Sequence, residues 1–181
     1  MNEQDIIKII ENDPWRMDVL RAVRSLDLPD WLIGAGFVRN PIWDNLHGYK
    51  KQTPLNDIDV AYFDQSDLSE EKESAYQDKL KEIIDANWSV TNQARMAKIN
   101  NQNKSYISTE DAIAHWPETA TAIGVTLLKN GRLKLTAPYG IDDLNSLNLR
   151  MSPEFGDGKD AFEKRIIKKR WLLKWPKLKI V

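Results

Sequence analysis

The sequence predicts an α/β (α+β) fold, a mixed β-sheet flanked by helices. Three observations lead there. Helical and strand periodicities alternate through the first half as helix, strand, helix, strand, helix, strand. Lys129-Asn130-Gly131 then joins two β-type runs in a hairpin. With 181 residues, 41% of them hydrophobic, and no repeat or long linker, the chain reads as a single domain over 1–181.

Residues 3–11 carry Ile6, Ile7, Ile9 and Ile10 in a short helix. Asp13-Pro14 supplies an N-cap and first helical position for a second helix to about residue 26, with Val19, Leu20 and Val23 inward. Pro29 stops the chain before a strand over 31–33. Gly34-Ala35-Gly36 turns, and a helix over 37–46 ends at Gly48. A polar loop with Lys50 and Lys51 leads to a buried strand over 58–63. A charged helix over 70–86 carries apolar Ala75, Leu80, Ile83 and Ile84. A strand over 88–94 alternates Trp88, Val90 and Asn92 with Ser89, Thr91 and Gln93.

Residues 100–106 are an Asn-rich loop. Ser108-Thr109-Glu110-Asp111 has the capping-box pattern and opens a helix that Pro117 ends. Strands over 120–128 and 133–136 form the hairpin, and 147–151 is a last short strand. A basic helix over 160–175 closes the chain. The seven tryptophans are mostly core, since they show no stacking pattern.

Composition narrows the function classes. There are no cysteines, so disulfides, thiolate metal sites and a cysteine nucleophile are excluded. No apolar run is long enough to span a membrane, and the N-terminus lacks the basic start and apolar stretch of a signal peptide. A cytoplasmic location with no membrane partner is the expectation. Net charge is −1, but unevenly spread. Gly158 to Val181 holds nine Lys/Arg and two Asp/Glu, so that segment carries +7 and the other 157 residues −8. A basic tail suits nucleic acid or phosphate, although a solvated helix face is the commoner meaning.

The chemistry concentrates between Trp31 and Asp64. A strand ends in Gly34-Ala35-Gly36, followed at once by Val38-Arg39-Asn40 on a helix, and the next strand opens with Asp57-Ile58-Asp59. Gly34 and Gly36 let backbone approach phosphate, and the following helix points free N–H groups at the same anion. Arg39, in the first turn, is placed to fork onto a phosphate. On an extended strand the Cα atoms of Asp57 and Asp59 lie about 6.6 Å apart with side chains on one face, within reach of a metal pair. Lys50 and Lys51 are candidates for extra counter-charge.

These residues resemble the nucleotidyltransferase superfamily, with its glycine turn after the first strand, helix, and Asp-x-Asp pair on the next strand. Gly34-Ala35-Gly36-Phe37-Val38-Arg39-Asn40 looks like the Gly-Gly-x-Val-Arg-Asp segment in the head domain of CCA-adding and poly(A)-type polymerases. Asn92-Gln93-Ala94-Arg95-Met96, Trp116-Pro117-Glu118-Thr119-Ala120 and Ala137-Pro138-Tyr139-Gly140-Ile141-Asp142-Asp143-Leu144 resemble a bacterial family of small nucleotidyltransferase-like proteins, from about Trp31 to Trp175. The resemblance implies a superfamily core over about 31–95, followed by a C-terminal hairpin and helices over 108–181. It implies Asp57 and Asp59 as catalytic metal ligands for Mg²⁺, two ions, and Gly34, Gly36, Arg39 and Asn40 as nucleotide-binding. The expected substrate is a nucleoside triphosphate and the acceptor a small molecule, RNA or protein. Two other functions remain open: a non-catalytic nucleotide-binding or regulatory protein, and a nucleic-acid-binding module using the basic C-terminal helix.

Departures from the pattern are clear. Ala35 stands for the second glycine and Asn40 for the usual Asp. The strand after the Asp pair offers Ser89 and Thr91 where many members place a third carboxylate; Asp85 lies just before it, and Asp142-Asp143 more commonly cap a helix. Glu110-Asp111-Ala112-Ile113-Ala114 lacks the arginine of the Glu-Asp-x-x-Arg base-selecting motif, and no tRNA-holding domains are recognisable. Asn92, Gln93 and Arg95 are candidates for nucleotide or acceptor contacts. His47 reads as a helix C-terminal dipole partner and His115 as structural.

Overall fold

The computed structural model describes residues 1–100 and 104–181. The Asn-rich loop expected over 100–106 therefore falls partly outside the described residues. Two amphipathic helices open the chain. Helix α1 (Glu3–Glu11) is capped by Asn2, whose side chain accepts from Asp5 N while Asp5 accepts from Asn2 N. Its buried Ile6 and Ile10 lie one turn apart. Helix α2 (Pro14–Ser25) starts on the expected Asp13-Pro14 pair and buries Val19, Leu20 and Val23.

Strand β1 (Leu32–Gly34) runs into α3 (Gly36–His47), which Gly48 ends in the left-handed conformation at φ 70°. Then come β2 (Ile58–Tyr62), α4 (Glu70–Ile83) and β3 (Trp88–Asn92). Strands β4 (Gly124–Leu127) and β5 (Leu133–Thr136) form the hairpin. The sheet order is β3-β2-β1-β4-β5. Strands β2 and β3 are parallel, joined through α4; the other neighbours are antiparallel. This is the mixed sheet flanked by helices that the sequence predicts.

Side chains alternate across the sheet. Ile33, Val60, Val90 and Val125 face the main core with Ile6, Leu20, Phe37 and Trp43. On the opposite face Leu32 and Ala61, directly paired, meet Ile113 and Trp116 in a small cluster. Asp59, two residues before Ala61, shares that second face, so it looks away from the core.

The second half departs from expectation in four places. Helix α5 (Gln93–Ile99) takes over where the strand expected over 88–94 ends; Asn92 caps it by accepting from Ala94 N. An Asn in a capping position was the signal for that helix. Helix α6 (Thr109–Ala114) opens on Ser108 as expected, but residues 120–123 form turns onto Glu118 O rather than strand. After α7 (Asp142–Asn145) and β6 (Asn148–Leu149), the basic helix is split into α8 (Gly158–Lys169) and α9 (Trp171–Lys174) by Arg170 at φ 54°. A final strand, β7 (Lys179–Ile180), pairs in parallel with β6.

The break at Arg170 has a packing cause. It turns Trp171 and Trp175 onto Trp43, with ring centroids 5.8 and 5.1 Å apart in edge-to-face arrangement. Trp175 Nε1 donates to Asp44 Oδ1 at 2.7 Å, and Asp44 also accepts from Thr53 N and Thr53 Oγ1. One buried carboxylate thus ties the C-terminal turn to the loop that leads into Asp57. Trp43, Trp88, Trp171 and Trp175 are buried, as expected of core tryptophans. Among the described residues no helix is long and apolar enough to cross a membrane.

Candidate active site

Antiparallel pairing places the end of β1 beside the start of β2, with Ile33 opposite Val60. The glycine turn and the aspartate pair therefore meet at one end of the sheet. Gly36, Arg39, Asn40, Asp57 and Asp59 line one narrow groove of about 40 Å³. A second cavity of about 360 Å³ opens beside it. Ala35, Asp59 and Arg165 line both.

Gly34 lines neither. A Cβ there would sit 2.7 Å from Trp116 Cη2 and 3.0 Å from Ile123 O, so its bare backbone lets Trp116 lie over β1. At Gly36 a Cβ would meet Leu55 Cδ1 at 2.8 Å, at the floor of the groove. Ala35 between them has φ 51° and ψ −120°, a conformation that L-residues rarely adopt. Replacing Ala35 by Gly is expected to raise stability by roughly 0.5–1 kcal/mol, relief of about 1–2 kcal/mol of strain less the extra entropy of unfolded glycine. Equilibrium denaturation checks this; a loss of stability would refute the strain.

Helix α3 has no side-chain cap, which leaves its first N–H groups for an anion. Arg39 is nearly fully buried. Its Cζ lies 5.0 Å from the Trp43 ring and 4.5 Å from the Trp171 ring. Nη1 donates to Thr121 Oγ1 at 2.7 Å and Nη2 to Asn40 Oδ1 at 3.2 Å, while Nε has no partner among the described residues. Burial pulls its pKa down to about 10, against the pull of Glu118; Arg165 lowers it further, and Asp59 and Asp57 draw it up. It remains a cation at neutral pH, and Asn40 orients it.

Among the described residues neither Asp57 nor Asp59 is in an ion pair. Burial raises the Asp59 carboxyl to about 6, with Asp57 adding repulsion, while Arg39, Lys169 and Arg165 draw it back. Two unpaired hard-oxygen donors in a groove fit Mg²⁺, which keeps waters and phosphates in the rest of its shell. No cluster of three metal-ligating side chains occurs among the described residues. Ser89 pairs with Asp59 across the strands, on the strand where a third carboxylate is expected. Asp85 and Asp142 line neither space, and Asp143 is held by Thr119, Asn148 and Arg150.

Counter-charge comes from a place the sequence reading did not assign. Lys50 and Lys51 are exposed and line neither space. Instead Arg165 and Lys169, one turn apart on α8, reach the groove. Arg165 Nε donates to Glu118 Oε1 at 2.7 Å, and Glu118 is fully buried with Oε2 unpartnered among the described residues. The signal was the +7 segment following a body of −8.

The remaining candidates divide. Asn92 caps α5 and bonds Asp64 and Asp67 backbone, and Arg95 pairs with Glu73 and Glu70. Gln93 lines the larger cavity, as does His115, whose Nδ1 meets Asp111 O at 3.0 Å. His47 Nδ1 meets Trp43 O at 2.7 Å and its Nε2 accepts from Lys177 N at 3.0 Å, so it fastens the C-terminal segment to the end of α3.

Residues 21–180 match the family model described as nucleotidyltransferase. The chain belongs to this nucleotidyltransferase family. The assignment makes the protein a transferase and agrees with its sheet. An NMR structure described as revealing a CCA-adding enzyme head domain is 33% identical, with a TM-score of 0.85 over 99% of this chain and 96% of that one. A CCA-adding enzyme in complex with CTP is 16% identical, with a TM-score of 0.61 over 97% of this nucleotidyltransferase and 43% of that chain. An apo tRNA-processing enzyme is 14% identical, with a TM-score of 0.57 over 91% and 42%. The nucleotidyltransferase spans less than half of these two enzymes, and at those identities the likeness is one of fold. No curated protein matches it in sequence.

Proposed function

We propose that the protein transfers a nucleoside monophosphate from a nucleoside triphosphate to a hydroxyl acceptor by in-line attack. One observation carries this reading: two unpaired aspartates and the uncapped start of α3 line the same groove. Asp57 and Asp59 would hold Mg²⁺, two ions, which when bound supplies charge neutralisation at the reacting phosphoryl group. The N–H groups after Gly36 receive the β- and γ-phosphates. Arg39, held by Asn40 and Thr121, with Arg165 and Lys169 from α8, balances their charge. Gly34 does not line the groove; its bare backbone lets Trp116 lie over β1. The acceptor hydroxyl gives up its proton to solvent as its oxygen bonds to the α-phosphorus; the bond to the bridging oxygen breaks, and that electron pair leaves with pyrophosphate.

Among the described residues no third metal-ligating side chain joins Asp57 and Asp59, which favours a second reading, nucleotide binding without turnover. Incubation with Mg²⁺ and each nucleoside triphosphate, reading pyrophosphate release, separates them. The enzyme releases pyrophosphate, and Asp57→Asn lowers the rate by roughly a thousandfold, the value of several kcal/mol of lost charge stabilisation, with the fold intact by circular dichroism. Nucleotide-dependent thermal stabilisation without pyrophosphate would establish the binding-only protein.

A further inference from the structure

The larger cavity shares Ala35, Asp59 and Arg165 with the groove assigned to the triphosphate. In-line displacement sets the entering hydroxyl opposite the departing pyrophosphate. With the triphosphate tail over Gly36 and Lys169, the hydroxyl enters from the side of the larger cavity. We propose, on the strength of the nucleotidyl-transfer reading, that this cavity and the adjoining face of α8 form the acceptor subsite, for a small hydroxylated ring compound carrying a phosphate group.

Size, lining and charge each narrow the occupant. At about 360 Å³ the cavity lies near the lower end of small-molecule sites, room for little more than one ring system. Trp116, Met96 and Phe155 supply apolar surface; Ser89, Thr91 and Gln93 supply hydrogen-bonding groups. Ser89 and Thr91 project beside Asp59 and Ala61 because β2 and β3 pair in register. A ring resting on Trp116 can thus turn a hydroxyl toward Asp59.

The phosphate preference comes from the rim. Pro117, Phe155 and Asp157 continue from the cavity onto a shallow shelf with Lys164 and Lys168, one turn apart on α8. Neither lysine is in an ion pair among the described residues. Arg165 and Lys169 line that shelf as well, and the 157 residues before α8 carry −8. A long polyanion leaving the shelf meets repulsion, whereas a single phosphate does not.

The test is calorimetry on the full chain with Mg²⁺ and a saturating nucleoside triphosphate analogue that cannot be cleaved between its α- and β-phosphates. The probes are a panel of nucleoside and hexose monophosphates, their unphosphorylated counterparts and an RNA octamer. At least one monophosphate is expected to bind, its unphosphorylated counterpart roughly tenfold more weakly, and the octamer no more tightly than the monomer. Trp116→Leu and the surface change Lys168→Gln are each expected to weaken the monophosphate roughly five- to tenfold, with analogue affinity within about twofold of wild type. No binding by any monophosphate, an octamer at least tenfold tighter than every monomer, or loss of analogue affinity in both variants would overturn the proposal. Failure of the analogue to bind the wild-type protein with Mg²⁺ would instead remove the nucleotidyl-transfer reading beneath it.

Discussion

Asp59→Asn is expected to make the protein more stable at neutral pH while eliminating transfer. The Asp59 carboxyl is buried beside Asp57, and both effects favour its protonated form, raising it to about 6 from 3.8. A shift of that size corresponds to at most about 3 kcal/mol, and an asparagine in the same shape recovers on the order of 1–3 kcal/mol at pH 7. For a chain of this length that raises Tm by roughly 2–10 °C.

The pH dependence fixes the sign. Between about 6 and 3.8 the folded protein holds a proton on Asp59 that the unfolded chain does not. Folding takes up that proton, so this group adds stability as pH falls from 7 toward 4. Below 3.8 the trend reverses: Asp13 and Asp143, held low in the fold by their hydrogen-bonding partners against the cost of burial, lose their contribution as they protonate. The variant should lack the rise between pH 7 and 4. Denaturation at several pH values, with pyrophosphate release on the same samples, checks both halves. A variant less stable than wild type at pH 7, or one keeping the pH slope, would show that Asp59 carries no such strain.

Arg165→Gln is expected to have the largest effect on substrate affinity. Glu118 holds Nε at 2.7 Å, which leaves the two terminal nitrogens for phosphate oxygens. A charge-assisted contact of this kind is worth about 1.5–3 kcal/mol in total at a partly exposed site. The KM for the Mg-nucleotide should therefore rise roughly 10- to 100-fold, with a smaller change in kcat if the contact is made equally before and during reaction. Arg165→Lys keeps the charge but cannot hold Glu118 and offer a fork together, so it should recover only part of the loss. Lys169→Gln should raise KM roughly three- to tenfold. Lys159→Gln, exposed at the start of the same helix beside Glu163, should leave both parameters within about twofold. Steady-state kinetics decides it: an Arg165→Gln enzyme that behaves like Lys159→Gln places the basic helix outside the reaction.

The local elements of the site were legible in the sequence because they depend on near neighbours. Asp13-Pro14 and Ser108 cap helices through hydrogen bonds within one turn, Gly48 ends α3 by its own backbone freedom, and period-two alternation puts Asp59 and Ala61 on one face. The order of glycine turn, helix and aspartate strand was enough to bring Gly36, Arg39, Asn40, Asp57 and Asp59 to one groove, because antiparallel neighbours join the end of β1 to the start of β2. Tertiary packing decided what local pattern could not express. Gly34 answers to Trp116, eighty-two positions away; Arg39 is pinned by Thr121 and sandwiched with Trp171; Arg165 is aimed by Glu118. The +7 segment looked like a solvated helix face, and only the left-handed break at Arg170 and the burial of Trp171 and Trp175 turned it inward. Charge and periodicity specify a helix and its sign; which groove that charge faces depends on contacts between residues far apart in the chain.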